Sequence, residues 1–157
     1  MALDLGGIAK GWTVDNMAKN FESKNISATL DIGGNLRIIN PAGRKSITGI
    51  RDPRFPEKIE RKITISSRSC SSSDGYERFV HYNNKYYAHI MDPSTGYPAE
   101  KCLAVTVMTD SAPDADWMST AVFIRGKELA EKLVKKYPGT TVYIYLPGNE
   151  KKVLLIQ

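Results

Sequence analysis

Short β-branched runs in this chain are punctuated by glycine, proline and asparagine turn signals, and that pattern constrains the fold more than anything else. Ile26 to Ile32 reads as a strand running into Gly33-Gly34-Asn35, and Leu36 to Ile39 as its return, a hairpin turned on glycine. Phe79 to Tyr82 and Tyr86 to Met91, separated by Asn83-Asn84-Lys85, predict a second hairpin, and Asp92-Pro93-Ser94-Thr95-Gly96 is a strong turn signal. Leu103 to Met108 predicts a further strand. Thr141 to Leu146 and Lys152 to Ile156 predict two closing strands joined through Pro147-Gly148-Asn149. Connections this short join antiparallel neighbours, because a parallel pair needs a long crossover.

Between these runs the period changes to that of a helix. Ile8, Trp12, Met17 and Phe21 fall at roughly helical spacing behind Gly6-Gly7, with Asn25 beyond, which predicts a glycine-led helix from Gly6 to Ser23. Ser111 caps a second helix, with Pro113 early in it and Asp114 three residues past the cap, closing near Gly126. A third, Lys127 to Tyr137, places Leu129, Leu133 and Val134 on one face and stops at Pro138-Gly139. Pro41 to Lys58 reads as loop around a short strand at Ser46 to Arg51, and Arg61 to Ser66 alternates like a strand. Ser66 to Gly75 is rich in serine and predicts a flexible loop, either a solvent linker or a hydroxyl-rich loop over a phosphate. The sum is an α+β fold, a largely antiparallel mixed sheet with about three helices packed on it, forming a single domain over residues 1–157.

Bulk properties exclude several classes. No apolar run approaches the roughly 18 residues of a membrane span, and the first residues lack the blocks of a signal peptide. The 22 Lys and Arg against 17 Asp and Glu give a net charge of +5. The excess is spread over segments such as Lys127 to Lys136 without interleaved aromatics, so no nucleic-acid surface is expected. Cys70 and Cys102 form no ligand set for zinc, and whether they pair as a disulfide stays open.

Three places have residues suited to chemistry. Asp116 and Thr120, four apart on a predicted helix, put a carboxylate and a hydroxyl on one face, a partial oxygen shell of the kind magnesium takes alongside waters and phosphates. The plain alternative is an exposed Asp116 with Thr120 bonded back to a carbonyl. In Asp4-Leu5-Gly6-Gly7-Ile8-Ala9-Lys10-Gly11, glycines open a helix one turn before a lysine, so backbone and charge can approach a phosphate; a tight strand-to-helix turn would look the same. His89, just before a turn, is placed for proton transfer, although it and His81 could equally be structural.

The order and spacing of these sites resemble the ApbE family, the FAD:protein FMN transferases. The resemblance runs through the segment from Asp4 to Trp12, Asp31-Ile32-Gly33-Gly34-Asn35, Gly49-Ile50-Arg51-Asp52-Pro53-Arg54, Tyr76-Glu77-Arg78-Phe79, His89 to Pro98, and Asp114 to Ala121. It covers nearly the whole chain and only the C-terminal half of family members, whose N-terminal half supplies much of the flavin pocket. Two departures stand out, the serine-rich Ser66 to Gly75 and Ala88 where many members have a second histidine.

By that resemblance, Asp116 and Thr120 would bind Mg²⁺ through side chains, with backbone carbonyls of Gly7 and Ser119. Asp4, Lys10 and the Ile90 backbone region would contact FAD, and His89 matches the family's catalytic histidine. The implied reaction moves FMN from FAD to a threonine hydroxyl of an acceptor flavoprotein, such as a subunit of a membrane redox pump, and releases AMP. An FAD- or metal-binding module without transfer, and hydrolysis of FAD to FMN and AMP, stand as alternatives. Family members are often extracytoplasmic or membrane-anchored, and an open half-pocket offers a surface for a homodimer.

Overall fold

The first hairpin forms where the glycines require it. In the computed structural model, which describes residues 4–75, 79–82, 85–148 and 153–157, β1 (Ala28–Ile32) and β2 (Asn35–Ile39) pair antiparallel with Ile32 opposite Asn35. That register leaves a two-residue turn whose residues Gly33 and Gly34 have φ of 55° and 83°. Two successive positive φ angles match the twist of the strands and suit glycine. Tyr76-Glu77-Arg78, the Asn83-Asn84 turn and residues 149–152 of the last connection lie outside the described residues.

The remaining strands in chain order are β3 (Ser46–Arg51), β4 (Ile59–Ile65), β5 (Ser69–Asp74), β6 (Phe79–Tyr82), β7 (Lys85–Ala88), β8 (Met91–Asp92), β9 (Tyr97–Pro98), β10 (Ala104–Thr109), β11 (Thr141–Tyr145) and β12 (Val153–Ile156). The helices are α1 (Ala9–Glu22), α2 (Ala112–Arg125) and α3 (Lys127–Lys136). A six-stranded sheet runs β1-β2-β5-β10-β11-β12, and all its pairings are antiparallel. The α+β class with helices packed on a large antiparallel sheet is therefore observed. The expected strand Tyr86 to Met91 is instead split. β7 ends at Ala88, and Met91 begins a separate two-residue strand across the turn from Tyr97–Pro98.

The serine-rich segment corrects the sequence reading most sharply. Ser66 to Gly75 is not a flexible loop; most of it is β5, a central strand between β2 and β10, with every residue from Ser69 to Asp74 buried except Ser72. Serine carries no hydrophobic alternation to betray a strand, and here the alternation is one of neighbours. Ser71 and Ser73 face α2, whereas Cys70 faces the opposite side, in a cluster with Ile50, Ile63, Met108 and Tyr145.

Each sheet face has its own cover. The helix face carries Val105, Val107, Val142 and Ile144 against Met118, Val122 and Phe123 of α2 and Leu133 of α3. Fully burying such a side chain stabilises by about 1.5–3 kcal/mol, so this face anchors α2. The β3–β4 hairpin covers the other face through Ile50, Ile63 and Ile65. At the start of α2, Ser111 Oγ accepts from Asp114 N–H, as the cap signal required. α1 presses its buried Gly11, Val14 and Ala18 inward and leaves Trp12 62% exposed.

Candidate functional site

The N-termini of α1 and α2 meet at Gly11. A Cβ there would lie 2.3 Å from the Ala112 carbonyl oxygen and 2.8 Å from the Pro113 nitrogen, so only glycine allows this approach. The contact brings the first turn of α1 over Asp116, whose side chain is 3% exposed. Asp116 Oδ2 accepts the Gly11 N–H at 2.9 Å, and Lys10 Nζ lies 3.7 Å from Oδ1. A carboxylate taken from water needs such partners, and here one amide and one ammonium supply them.

Below Asp116 lies a chain of hydroxyls. Ser119 Oγ and Thr120 Oγ1 donate back to the Asp116 carbonyl at 2.9 and 3.4 Å, so the back-bonding considered for Thr120 is present, while Asp116 itself is buried and not an exposed helix residue. Ser73 Oγ reaches Ser119 Oγ at 2.9 Å and Thr120 Oγ1 at 3.2 Å, and Ser71 Oγ lies 3.3 Å from Ser119 Oγ. Ser71 and Ser73 of β5 thus belong to the site's floor, which periodicity could not reveal. Neither loop reading of Ser66 to Gly75 holds for these residues, whose hydroxyls stand on a strand.

Asp4 and Gly7 stand in the turn that leads into α1. Asp4 Oδ1 accepts the Gly6 N–H at 2.7 Å, and Leu5 carbonyl accepts from Ile8 and Ala9, which aims the turn at Lys10. Gly7 is half-buried three residues before Lys10. The donors gathered here are oxygens, the Asp116 carboxylate and carbonyl with the hydroxyls of Ser71, Ser73, Ser119 and Thr120. No cluster of three His, Cys, Asp or Glu exists among the described residues. That chemistry suits a hard cation sharing its shell with water and phosphate, and does not suit a soft or fully protein-enclosed metal.

His89 lies apart in sequence, on the exposed connection between β7 and β8. Ile90 behind it packs against the helix-face core, and its carbonyl accepts the Ala99 N–H at 2.9 Å. The turn that follows is held by Asp92, which accepts from the Ser94 hydroxyl at 2.6 Å and the Ser94 N–H at 2.9 Å. Those two bonds, the hydroxyl's first, hold the Asp92 carboxyl below the usual carboxylate range. The strand end before His89 reaches α2 through a missing side chain: a Cβ at Gly75 would lie 3.2 Å from Ala88 Cβ and 3.7 Å from Phe123 Cζ. Phe123 is one turn past Thr120, so the His89 connection meets α2 about two turns C-terminal to Asp116. Tyr87, Ala88, Pro98, Ala99 and Phe123 also line a largely apolar cavity of about 800 Å³. Arg54, in the Gly49 to Arg54 motif, also lines that cavity and donates to the Leu146 and Gly148 carbonyls.

Cys70 and Cys102 are free, buried thiols. Burial pushes their pKa values up, to about 12 and about 11 respectively, which makes them poor nucleophiles. No helix among the described residues is long and apolar enough to cross a membrane.

Comparison with known proteins shows what the chain is similar to. The sequence model of the ApbE family matches residues 1–144. The FAD:protein FMN transferase of Treponema pallidum is 33% identical over 163 residues, covering 95% of this chain and 45% of that protein. That of Haemophilus influenzae is 33% identical over 140 residues, covering 85% and 40%. The crystal structure of the ApbE protein from Thermotoga maritima superposes with a TM-score of 0.85 at 34% identity, over 97% of this chain and 50% of that one. The flavin transferase ApbE of Vibrio cholerae gives 0.72 at 26%, over 98% and 50%. The chain spans about half the length of the relatives it matches.

Proposed function

The chain belongs to the ApbE family, and on that premise we propose that it carries the cation and pyrophosphate end of a flavin-transfer site. The observation that carries the reading is the buried Asp116 carboxylate, held by the Gly11 N–H with Lys10 beside it and Thr120 one turn on. The reaction is transfer of FMN from FAD to a threonine hydroxyl of an acceptor flavoprotein, a subunit of a membrane redox pump or a similar protein, with release of AMP.

Asp116 and Thr120 side chains, with the Gly7 and Ser119 carbonyls, would hold Mg²⁺. When bound, it would neutralise charge on the pyrophosphate as the phosphorus is attacked. Lys10 faces the same anion from the first turn of α1, where the helix N-terminus and the close backbone of Gly6 and Gly7 also favour negative charge. Asp4 holds that turn in place and, with the Ile90 backbone, contacts FAD. The threonine oxygen forms a bond to the FMN-side phosphorus, the bond from that phosphorus to the AMP oxygen breaks, and His89 takes the threonine proton.

The test is to incubate the chain with FAD, Mg²⁺ and an acceptor bearing the target threonine, then measure protein-bound flavin fluorescence and AMP. Labelled acceptor with stoichiometric AMP is expected. AMP without label would mean hydrolysis to FMN and AMP. Bound FAD with neither product would mean a binding module. Sedimentation of the same sample distinguishes monomer from homodimer.

A further inference from the structure

Asn35 opens β2 directly after the Gly33-Gly34 turn and is 2% exposed. Its cross-strand partner is Ser71. Side chains directly opposite on antiparallel strands project to the same face. Ser71 Oγ lies 3.3 Å from Ser119 Oγ on α2, so the Asn35 side chain starts on the face that carries Ser119 and Asp116. The turn beside it is also tied to this region, since a Cβ at Gly33 would lie 3.8 Å from Lys10 Cδ. Yet Asn35 Oδ1 is buried and has no hydrogen-bond partner among the described residues. An amide oxygen left unpaired in an interior is destabilising, and such groups call for a water, an ion or a ligand.

We propose that Asn35 is the sheet's contribution to the cation site, its side-chain oxygen accepting a hydrogen bond from water carried by the cation that Asp116 holds. The inference rests on the reading of Asp116 and Thr120 as a magnesium site. Magnesium dehydrates reluctantly and keeps several waters, whose polarised O–H groups need acceptors. A neutral amide oxygen supplies one without adding charge against the pyrophosphate. Removing an outer partner of this kind typically weakens metal binding 10- to 100-fold.

The test is a calorimetric Mg²⁺ titration of the chain without FAD, paired with melting in the absence of metal, on the unmodified chain, Asn35→Leu, Asn35→Asp and Asp116→Ala. Asn35→Leu removes the acceptor in similar volume, so it should weaken Mg²⁺ about tenfold or more while leaving metal-free melting unchanged or raised. Asn35→Asp keeps an acceptor and adds charge, so it should bind at least as tightly as the unmodified chain. A purely structural Asn35 would instead show lowered metal-free melting for Asn35→Leu and an unchanged Mg²⁺ dissociation constant, which overturns the inference. If Asn35→Leu fails to fold, Asn35→Asp decides alone, and weaker binding by it is the overturning result. Asp116→Ala separates the two levels: lost binding there with no effect at Asn35 sinks only the role of Asn35. Unchanged binding in Asp116→Ala, or no saturable binding by the unmodified chain, sinks the cation reading itself.

Discussion

Lys10 Nζ lies 3.7 Å from Asp116 Oδ1, and the next residue, Gly11, gives its N–H to the other oxygen of the same carboxylate. One helix start thus supplies both a mobile charge and a fixed dipole to one buried acid. Their effects should separate on mutation. Asp116→Ala leaves the Gly11 N–H without an acceptor in a buried place and should cost about 1–3 kcal/mol in urea denaturation. Asp116→Asn retains an acceptor oxygen and should cost less, yet both should abolish Mg²⁺-dependent flavin labelling. Labelling retained by either variant would remove Asp116 from the chemistry.

Gly11→Ala tests the crossing itself. Helix propensity alone favours alanine by about 1 kcal/mol. The new Cβ would however lie 2.3 Å from the Ala112 carbonyl oxygen and 2.6 Å from its carbon, rigid backbone that must move away. Overpacking of this kind costs about 1–3 kcal/mol, and the upper end is expected. The same displacement should lengthen the Gly11–Asp116 bond and weaken Mg²⁺ binding. A stabilised variant would show that the two helices do not approach this closely.

Ser73→Ala removes a hydroxyl 2.9 Å from Ser119 and 3.2 Å from Thr120. Both partners keep their bonds to the Asp116 carbonyl, so the loss should be that of an ordinary hydrogen bond, about 0.5–1.5 kcal/mol. Hydrogen exchange provides the companion measurement, because β5 lies between two paired strands and its amides should be among the slowest in the chain. Rapid exchange across Ser69–Asp74 would restore the flexible loop that composition suggests.

That strand marks the boundary of what could be read from residues alone. The β1–β2 turn, the Ser111 cap and the Asp116–Thr120 spacing are local relations, written within a few residues, and each appears where its sequence signal stands. The partner of Asp116 is not local. Nothing near Gly11 announces that its N–H meets a carboxylate on another helix, because that contact follows from the crossing of α1 and α2. β5 was hidden for a related reason, since serine in a buried strand is paid for by hydroxyl partners on α2 and not by any pattern of its own. Asn35 could be read as part of a turn, but its unpaired oxygen appears only when Ser71 is set beside it.

The two buried thiols give a pH dependence with a definite sign. Their folded pKa values are raised from an ordinary 9.0 to about 12 for Cys70 and about 11 for Cys102. Below pH 9 both states hold the thiol protons and stability is fully retained. Above it the unfolded chain releases protons that the folded chain keeps, so stability falls as pH rises from 9 toward 11 and 12. Urea midpoints should therefore drop through this window, and Cys70→Ser/Cys102→Ser should flatten the drop. Thiol reagents at pH 8 should label the folded chain far more slowly than the urea-unfolded one. Rapid labelling of the native state would contradict the burial of both groups.

In the proposed reaction His89 would serve the attacking hydroxyl, whereas Asp116 would serve the phosphate. His89 is exposed on the β7–β8 connection, one residue past the Ala88 that Gly75 admits beside Phe123. A group there should matter to proton removal and little to the fold. His89→Ala should therefore lower the transfer rate by about 10² to 10⁴, the usual range for a general base, with FAD and Mg²⁺ dissociation constants and the melting temperature unchanged. The rate lost should be recovered in part by raising pH or adding imidazole, since either replaces the missing base. Weakened FAD binding with an unchanged rate at saturation would instead make His89 a binding residue, and the proton would need another acceptor.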